Sequence, residues 1–467
     1  MANILLCASF NEELIVKRNY TTPPFGIHRL AAWLRKHGHT AQVFDYNIHP
    51  DYNTVLESKK WDIIGFSSMQ QSLPFDIQAA WGAKAICPSA TIIFGGIEAT
   101  LNYQDIFDCA PCDIVALGEG EQLLLALADG LPLSVCSGYI SRKYSDALLP
   151  YDYAAWWEAV DFGAMEYEKY WAQTRELAPA LSDETINTIR LVTSTHCNRG
   201  CSFCSVTRWH AAAYGKMMQP VALPPEQVYA VVCKAIAQVP SVRSFFLTED
   251  DFIITRERAY ETFALLGKTG KKYLIQTRLD KLDEALIAHM AQNGCRQIVM
   301  GIENASEAVL KAFGKPQDLT KVSKVIQWCK THEVSPYFLF ILFAPTATMQ
   351  DLRTNYTQIS QWIAEGATIS IEPNMCSYRG SSLWHSNHEM VYETTEICAG
   401  KAGNGKYSHL RMPVRILPDD QEVRAIANEF NKRWPEFLAA KHIGHEYKGN
   451  TGKHMIELLG ILLAETS

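Results

Sequence analysis

No run of 18 uninterrupted apolar residues occurs in this 467-residue chain, so no membrane-spanning helix is expected. The opening MANILLCASFNEE has no basic segment and leads straight into a strand pattern, which argues against a secretory signal. Positive charge is not in excess: 43 Lys and Arg stand against 50 Asp and Glu, a net charge of -7, so a nonspecific nucleic-acid binder is not indicated. A hydrophobic content of 48% and a charged content of 20% describe a globular chain, expected in the cytoplasm. The length calls for two or three domains rather than one.

A dinucleotide fingerprint is also missing: no G-x-G-x-x-G follows the first strand pattern. Strand patterns at 3–7, 41–45, 63–67, 91–95 and 114–117 alternate with helical ones, notably 26–37, 74–86 and 121–128. Gly38 ends the first helix, whose apolar face carries Ile27, Leu30, Ala31 and Leu34. This alternation predicts a parallel, doubly wound α/β sheet, with ligand loops at the strand C-termini. Two glycine groups fall there: Gly95 and Gly96 after the fourth strand, and Gly118, Glu119, Gly120 and Glu121 after the fifth. Adjacent glycines either let the backbone approach a bulky ligand or simply make turns.

Thirteen cysteines are many for a chain in a reducing compartment. Three are concentrated in LVTSTHCNRGCSFCSVTRW, at Cys197, Cys201 and Cys204, spaced C-x3-C-x2-C. Thiolates are soft ligands suited to iron–sulfur clusters. Three on one loop would hold three irons of a cubane and leave the fourth open to a non-protein ligand. A structural zinc site would need a fourth protein ligand, for which His196 and His210 are the nearest candidates. The remaining cysteines are scattered and read as buried thiols; Cys109 and Cys112 form a C-x2-C pair with no second half-site.

The cysteine segment, with Phe203 before the last cysteine, resembles the signature of the radical S-adenosylmethionine (SAM) enzymes. The resemblance implies that Cys197, Cys201 and Cys204 hold a [4Fe-4S] cluster whose open iron is chelated by SAM. From residue 189 onward, six strand–helix units fit the family's partial (β/α)6 barrel: strands at 189–194, 244–247, 273–277, 297–301, 336–342 and 368–375. Function in such barrels gathers at the strand ends. There the resemblance implies a SAM pocket with Phe203, Glu249, Asp250, Arg278 and Glu303. The acidic run at 249–251 could instead cap the next helix, and Glu303 could be a buried, paired structural residue. Residues 300–304 resemble the family's G-I-E-S segment, with Asn304 replacing Ser. The later loops depart further: Phe343 to Thr348 keeps Pro345 and Thr348 but lacks the usual glycines and Glu, and Arg379 stands where the family's late loop has Pro. Thr348 is expected to cap the following helix.

The N-terminal segments PPFGIHRLAAWLRKHGHTAQVFD, WDIIGFSS, FGGIEAT and ALGEGE are similar to the cobalamin-binding domain of B12-dependent radical SAM enzymes. By that resemblance Gly95, Gly96, Gly118, Glu119, Gly120 and Glu121 hold the corrin and its nucleotide tail, and Ser67, Ser68, Met69 and Gln70 face the corrin, with Met69 or Gln70 nearest cobalt. Where the family often carries His after the double glycine, Ile97 and Glu98 stand here. The D-x-H-x-x-G motif of cobalamin mutases is absent; the loop after strand one begins Ser9, Phe10, Asn11, Glu12. A domain that keeps the fold and has lost cobalamin is the alternative.

The expected organisation is a Rossmann-like cobalamin-binding domain over 1–130, a bridging segment over 131–184 and a radical SAM partial TIM barrel over 185–383. A mostly helical, substrate-shaping extension follows over 384–467, with helices at 421–440 and 453–465. His385 and His388 in this tail do not by themselves define a metal site. The resemblance implies a cobalamin-dependent C-methyltransferase acting on an unactivated carbon of a small natural-product intermediate, supplied with electrons by a reductant such as flavodoxin or ferredoxin. A cyclase or rearrangement enzyme without methyl transfer, a cobalamin-free radical enzyme, and a non-enzymatic corrinoid or cluster sensor are the other readings.

Overall fold

The computed structural model describes residues 1–8, 22–49, 51–376, 378–398, 407–441 and 451–466. The loop expected at Ser9 to Glu12, and Ser377 at the start of the late loop, lie outside the described residues.

The first sheet is built from β1 (Asn3–Ala8), α1 (Phe25–Lys36), β2 (Thr40–Asp45), α2 (Tyr52–Glu57), β3 (Ile63–Ser67), α3 (Leu73–Ile86), β4 (Thr91–Gly95), α4 (Ile97–Leu101), α5 (Tyr103–Cys109), β5 (Ile114–Ala116) and α6 (Glu121–Ala128). Strand order is β2-β1-β3-β4-β5, all parallel. Two short strands the sequence does not announce, β6 (Tyr139–Ser141) and β7 (Ser145–Asp146), extend it antiparallel. The central strands are continuous apolar runs because helices cover both faces. Leu5, Ile64, Ile92 and Val115 serve the core on one face, Ile4, Leu6, Ile63 and Ile93 that on the other. Gly38 turns left-handed (φ 85°), which lets the His39 N–H reach the Leu34 carbonyl at 3.1 Å and close α1.

A bridging stretch carries α7 (Tyr153–Ala159), α8 (Tyr167–Leu177) and α9 (Asp183–Ile186). Its aromatic residues are core: Tyr153, Trp156, Trp157, Phe162 and Tyr167 are buried with the second sheet, and Phe25 of α1 stacks on Trp157 at 5.0 Å.

The second sheet follows: β8 (Thr188–Leu191), α10 (Val206–Tyr214), α11 (Pro225–Gln238), β9 (Ser244–Leu247), α12 (Arg256–Leu266), β10 (Lys272–Thr277), α13 (Glu284–Gln292), β11 (Cys295–Glu303), α14 (Glu307–Ala312), α15 (Val322–Thr331), β12 (Ser335–Phe343), α16 (Met349–Glu365) and β13 (Thr368–Asn374). The six strands are parallel and pair strictly in chain order, so β8 and β13 are the free edges of a partial barrel. Thr348 caps α16 in a capping box with Asp351, as its sequence position suggests.

The tail is helical in α17 (Gln421–Ala440) and α18 (Gly452–Glu465), which pack on the barrel. It also contains a hairpin absent from the sequence reading, β14 (Met390–Cys398) against β15 (Tyr407–Ile416). Leu410 and Met412 of β15 belong to the first sheet's core, so the tail reaches back and ties the two sheets together. No helix among the described residues is long and apolar enough to cross a membrane.

Candidate active site

The loop after β8 carries the thiols. Cys204 N–H donates to the Cys201 carbonyl at 3.0 Å. The Thr207 hydroxyl, in the first turn of α10, donates to the Cys197 carbonyl at 2.8 Å and accepts from Gly200 N–H at 3.3 Å. Ser202 N–H is fixed to the Phe313 carbonyl at 2.9 Å. Phe203 meets the Phe313 ring edge-on at 5.2 Å, so it anchors the loop. All three cysteines are partly exposed residues. Burial raises each thiol, Cys204 to about 12, so ligation would have to displace the protons.

Neither histidine completes a zinc site. His196 uses Nδ1 with the Thr195 hydroxyl (2.9 Å) and Nε2 with the Met218 carbonyl (3.1 Å). His210 lies stacked on His196 at 3.6 Å, buried, with neither ring nitrogen bonded; burial lowers it to about 4. Among the described residues, no three His, Cys, Asp or Glu side chains gather around a single-ion site. Three soft donors on one clamped loop instead fit an iron–sulfur cluster.

The barrel's strand ends place the other expected residues beside this loop. Glu249 is buried and accepts from Thr193 N–H at 2.9 Å and from the Thr193 hydroxyl. Its second oxygen, Oε2, is buried with no partner, and burial raises its carboxyl against the Thr193 bonds. That orphaned acceptor fits the ammonium of an amino-acid ligand such as SAM. Water reaches Asp250, yet protein crowds it closely enough that desolvation lifts it to about 6, against a hydrogen bond from the Cys197 backbone. Asp251 accepts from Thr277 at 2.8 Å. The acidic run does not cap α12; Thr255 does.

Arg278 is mostly buried and bonded to Asp280 at 2.9 Å. Glu303 sits in the left-handed region (φ 66°) and pairs with Lys315 at 2.6 Å, both side chains nearly buried. A Cβ at Gly301 would lie 2.3 Å from the Glu303 carboxylate, so the glycine makes room for this pair. Asn304 bridges the Ile341 carbonyl and Ser306 N–H, each at 3.0 Å, a structural role.

On the first sheet the expected corrin residues lie at the C-terminal edge, but several are engaged by protein. Gly96 is left-handed (φ 93°), and a Cβ there would meet the Ser68 carbonyl at 2.7 Å. Gly118 (φ 61°) leaves room for Ala213 of α10 at 2.8 Å from a would-be Cβ, and Gly120 faces Leu30. Gly95 lies over Ala116. These close approaches are therefore protein on protein. Glu119 and Glu121 both pair with Arg29 of α1, Glu121 at 2.6 Å with its side chain fully buried. The two carboxylates and Arg29 form an ion triad, with the guanidinium over Trp156 at 5.1 Å and Glu121 Oε2 buried without a hydrogen-bond partner. The 67–70 loop remains the open part: Ser68 is buried, while Met69 projects with 42% exposure. With a strand-end cradle and an exposed Met69, the edge fits a flat cofactor at the β1/β3 switch point.

Cys109 and Cys112 are buried, Cys112 donates its S–H to the Ile114 carbonyl at 3.2 Å, and burial pushes it up to about 12. This is inert packing rather than redox chemistry. His388 is bonded to Asp419.

Sequence reasoning missed α10. Its Trp209 Nε1 donates to the Thr100 hydroxyl of α4 at 3.2 Å, and Ala213 fits under Gly118, so the helix that follows the thiols rests on the first sheet domain. Arg29 was also missed. A charged residue inside the Ile27–Ala31 stripe was the available signal.

A doubly wound edge and a thiol-bearing partial barrel joined in this way define a radical enzyme with a corrinoid domain. Residues 13–128 match the B12 binding domain and residues 191–358 the Radical SAM superfamily. The chain belongs to the cobalamin-dependent radical SAM enzymes, with a [4Fe-4S] cluster, SAM and cobalamin as cofactors. It is 22% identical over 382 residues to the anaerobic magnesium-protoporphyrin IX monomethyl ester cyclase of Cereibacter sphaeroides, across 75% of this chain but only 58% of that protein. It is 22% identical over 380 residues to the cytidylyl-2-hydroxyethylphosphonate methyltransferase of Streptomyces wedmorensis, 69% of each chain. The fold is similar to that of the radical SAM methyltransferase TsrM from Kitasatospora setae, solved with tryptophan and a SAM analog, at a TM-score of 0.70, 12% identity, and 99% and 95% coverage of the two chains.

Proposed function

We propose that this enzyme is a C-methyltransferase that places a methyl group on an unactivated carbon of a small molecule. When bound, the cluster would supply the electron that cleaves SAM, and cobalamin would carry the methyl group. Cys197, Cys201 and Cys204 hold the cluster, Glu249 Oε2 and Asp250 receive the SAM ammonium, Arg278 and the Glu303–Lys315 pair shape the pocket, and the 67–70 loop faces the corrin. The contact of α10 with α4 carries the reading: the segment that holds the thiols is built onto the corrinoid domain, so the two chemistries share one frame. The work is done in the cytoplasm, with a flavodoxin- or ferredoxin-type reductant.

The likeness to the cyclase favours a second reading, ring closure without methyl transfer. Anaerobic reconstitution with iron, sulfide, cobalamin and methyl-labelled SAM, followed by mass spectrometry of cell metabolites, separates them. A labelled carbon product supports methyl transfer. 5'-Deoxyadenosine with an unlabelled, oxidised or cyclised product supports the second reading, and no SAM cleavage removes both.

A further inference from the structure

The late barrel loop, residues 378–385, grips two things at once. At one end, Arg379 reaches into the first sheet domain. Its Nη2 pairs with Asp105 of α5 at 2.7 Å, and its Nε lies 3.3 Å from Glu98 of α4, with only 15% of the Arg379 side chain exposed. The guanidinium lies over Trp384 of the same loop at 4.9 Å, and Trp384 meets Tyr392 of β14 edge-on. Asn102 donates to Glu98 at 3.0 Å, so the carboxylate is held from both sides. Next to Arg379, Gly380 turns left-handed (φ 76°); a Cβ there would strike Leu101 at 2.7 Å. The loop backbone thus packs directly on the Leu101 side chain of α4.

At the other end the loop holds the thiol segment. Leu383 N–H donates to the Ser202 carbonyl at 2.9 Å, between Cys201 and Cys204. The Ser382 hydroxyl accepts from Arg208 of α10 at 3.4 Å. Between these grips, Leu101, Arg208, Ala211, Gly380, Ser382 and His385 line a cleft of about 490 Å³ at the seam of the two domains.

We infer that Arg379 is a positioning residue that sets the placement of the thiol loop relative to the corrinoid-binding domain. The two charges involved stand where this chain departs from its family's pattern: Glu98 after the double glycine, and Arg379 in the late loop. A planar guanidinium that engages two carboxylates and an aromatic face fixes direction as well as distance, which a lysine would not. Transfer between two cofactors depends on such placement, since about 1 Å of error can cost on the order of a hundredfold in rate. The catalytic consequence rests on the methyl-transfer reading; the mechanical one does not.

Hydrogen–deuterium exchange on the full-length holoenzyme tests the mechanical part. Arg379→Met is expected to raise exchange about tenfold both in residues 97–105 and at the Leu383 amide and 201–204 segment. The exchanged pair Arg379→Asp with Asp105→Arg is expected to restore most of that protection. In turnover with SAM, Arg379→Met should keep 5'-deoxyadenosine release within about twofold while labelled product per 5'-deoxyadenosine falls roughly tenfold or more. Exchange confined to residues 378–382, or an unchanged product ratio in an enzyme that does methylate, overturns the inference. If the wild type cleaves SAM without methylating, the functional reading falls, and the exchange pattern still decides the role of Arg379. Should Arg379→Met not fold, Arg379→Lys keeps the charge and loses the fork; wild-type exchange in that variant is equally fatal.

Discussion

The two sheet edges give their buried acids different partners. At the edge of the first sheet, buried carboxylates sit beside arginines from elsewhere in the chain, Glu121 against Arg29 and Glu98 against Arg379, although Glu121 Oε2 stays buried without a hydrogen-bond partner. Its glycines are filled by Ser68, Ala213 and Leu30. At the edge of the barrel, Glu249 also keeps one oxygen without a partner, but its other oxygen is held by Thr193 rather than by a cation, and three partly exposed cysteines stand on a clamped loop. Only Glu303, closed by Lys315, follows the first pattern there. The difference lies in the counter-charge: arginine at the first edge, the Thr193 amide and hydroxyl at Glu249. An unsatisfied buried acceptor is costly, and an acid without a protein cation beside it has more to gain from a cationic ligand than one already paired with arginine.

The largest effect expected from this contrast is at the thiols. Cys201→Ala should abolish the iron–sulfur absorption and SAM cleavage while the protein still retains cobalamin and its thermal stability. Loss of cobalamin in the same variant would show that the two edges are not separable. Next comes Arg29→Met, which leaves Glu121 buried without its cation. Breaking such a pair costs about 3–5 kcal/mol, read by chemical denaturation, and SAM cleavage by the surviving folded fraction should be normal. The loss should also depend on pH. Burial already raises Glu121, and only Arg29 opposes it strongly. Without Arg29 the folded state holds the Glu121 proton more tightly than the unfolded chain does, so the deficit should be smallest at low pH and grow as pH rises through neutrality.

What the sequence disclosed follows the range of each interaction. β3 and β9 were legible because a short run with polar flanks, Ile63 to Phe66 and Phe245 to Leu247, leaves few alternatives. The thiol loop was legible because its chemistry sets the spacing within eight residues. The Arg29–Glu121 pair spans 92 positions, and nothing local couples them. The packing of the GEGE segment, its glycines against Ala213 and Leu30 and its acids against Arg29, was therefore not legible in the sequence. α10 escaped because it has partners on several sides: Trp209 and Ala213 meet the first sheet domain, while His210 and Tyr214 stack toward His196. The residues it buries, Thr207, His210 and Ala213, share one face, but only the last is apolar, so no apolar stripe announces the helix. The β14–β15 hairpin escaped for a related reason, since Leu410 and Met412 find their core in a domain some 300 residues earlier, and Glu393, Thr394 and Thr395 resemble a solvated loop.

A smaller effect probes the glycines. At Gly96, alanine must take a left-handed φ and push against the Ser68 carbonyl, backbone that cannot swing aside. Strain of that kind costs about 1–3 kcal/mol, and the shift falls on the loop that carries Met69. Gly96→Ala should therefore lose both stability and cobalamin retention, whereas Gly130→Ala, also left-handed but with nothing within reach of its Cβ, should lose stability alone. Equal cobalamin retention in the two variants would mean that the 67–70 loop does not face the corrin.

The smallest expected effect is at Glu98, and its sign is the informative part. Burial raises this carboxyl to about 7, and neither Arg379 nor Asn102 brings it back to its ordinary value. The folded state thus binds the Glu98 proton more tightly than the unfolded chain, and this group's contribution to stability falls as pH rises from about 4.5 toward 7. Glu98→Gln, close in shape to the protonated acid, should flatten that part of the profile and leave the protein no less stable above neutrality. Arg379 would still be held by its shorter contact to Asp105. A variant that instead loses stability above pH 7 would show that the ionised Glu98–Arg379 pair outweighs its burial. The first sheet's acids would then be net contributors to the frame rather than charges tolerated for the sake of direction.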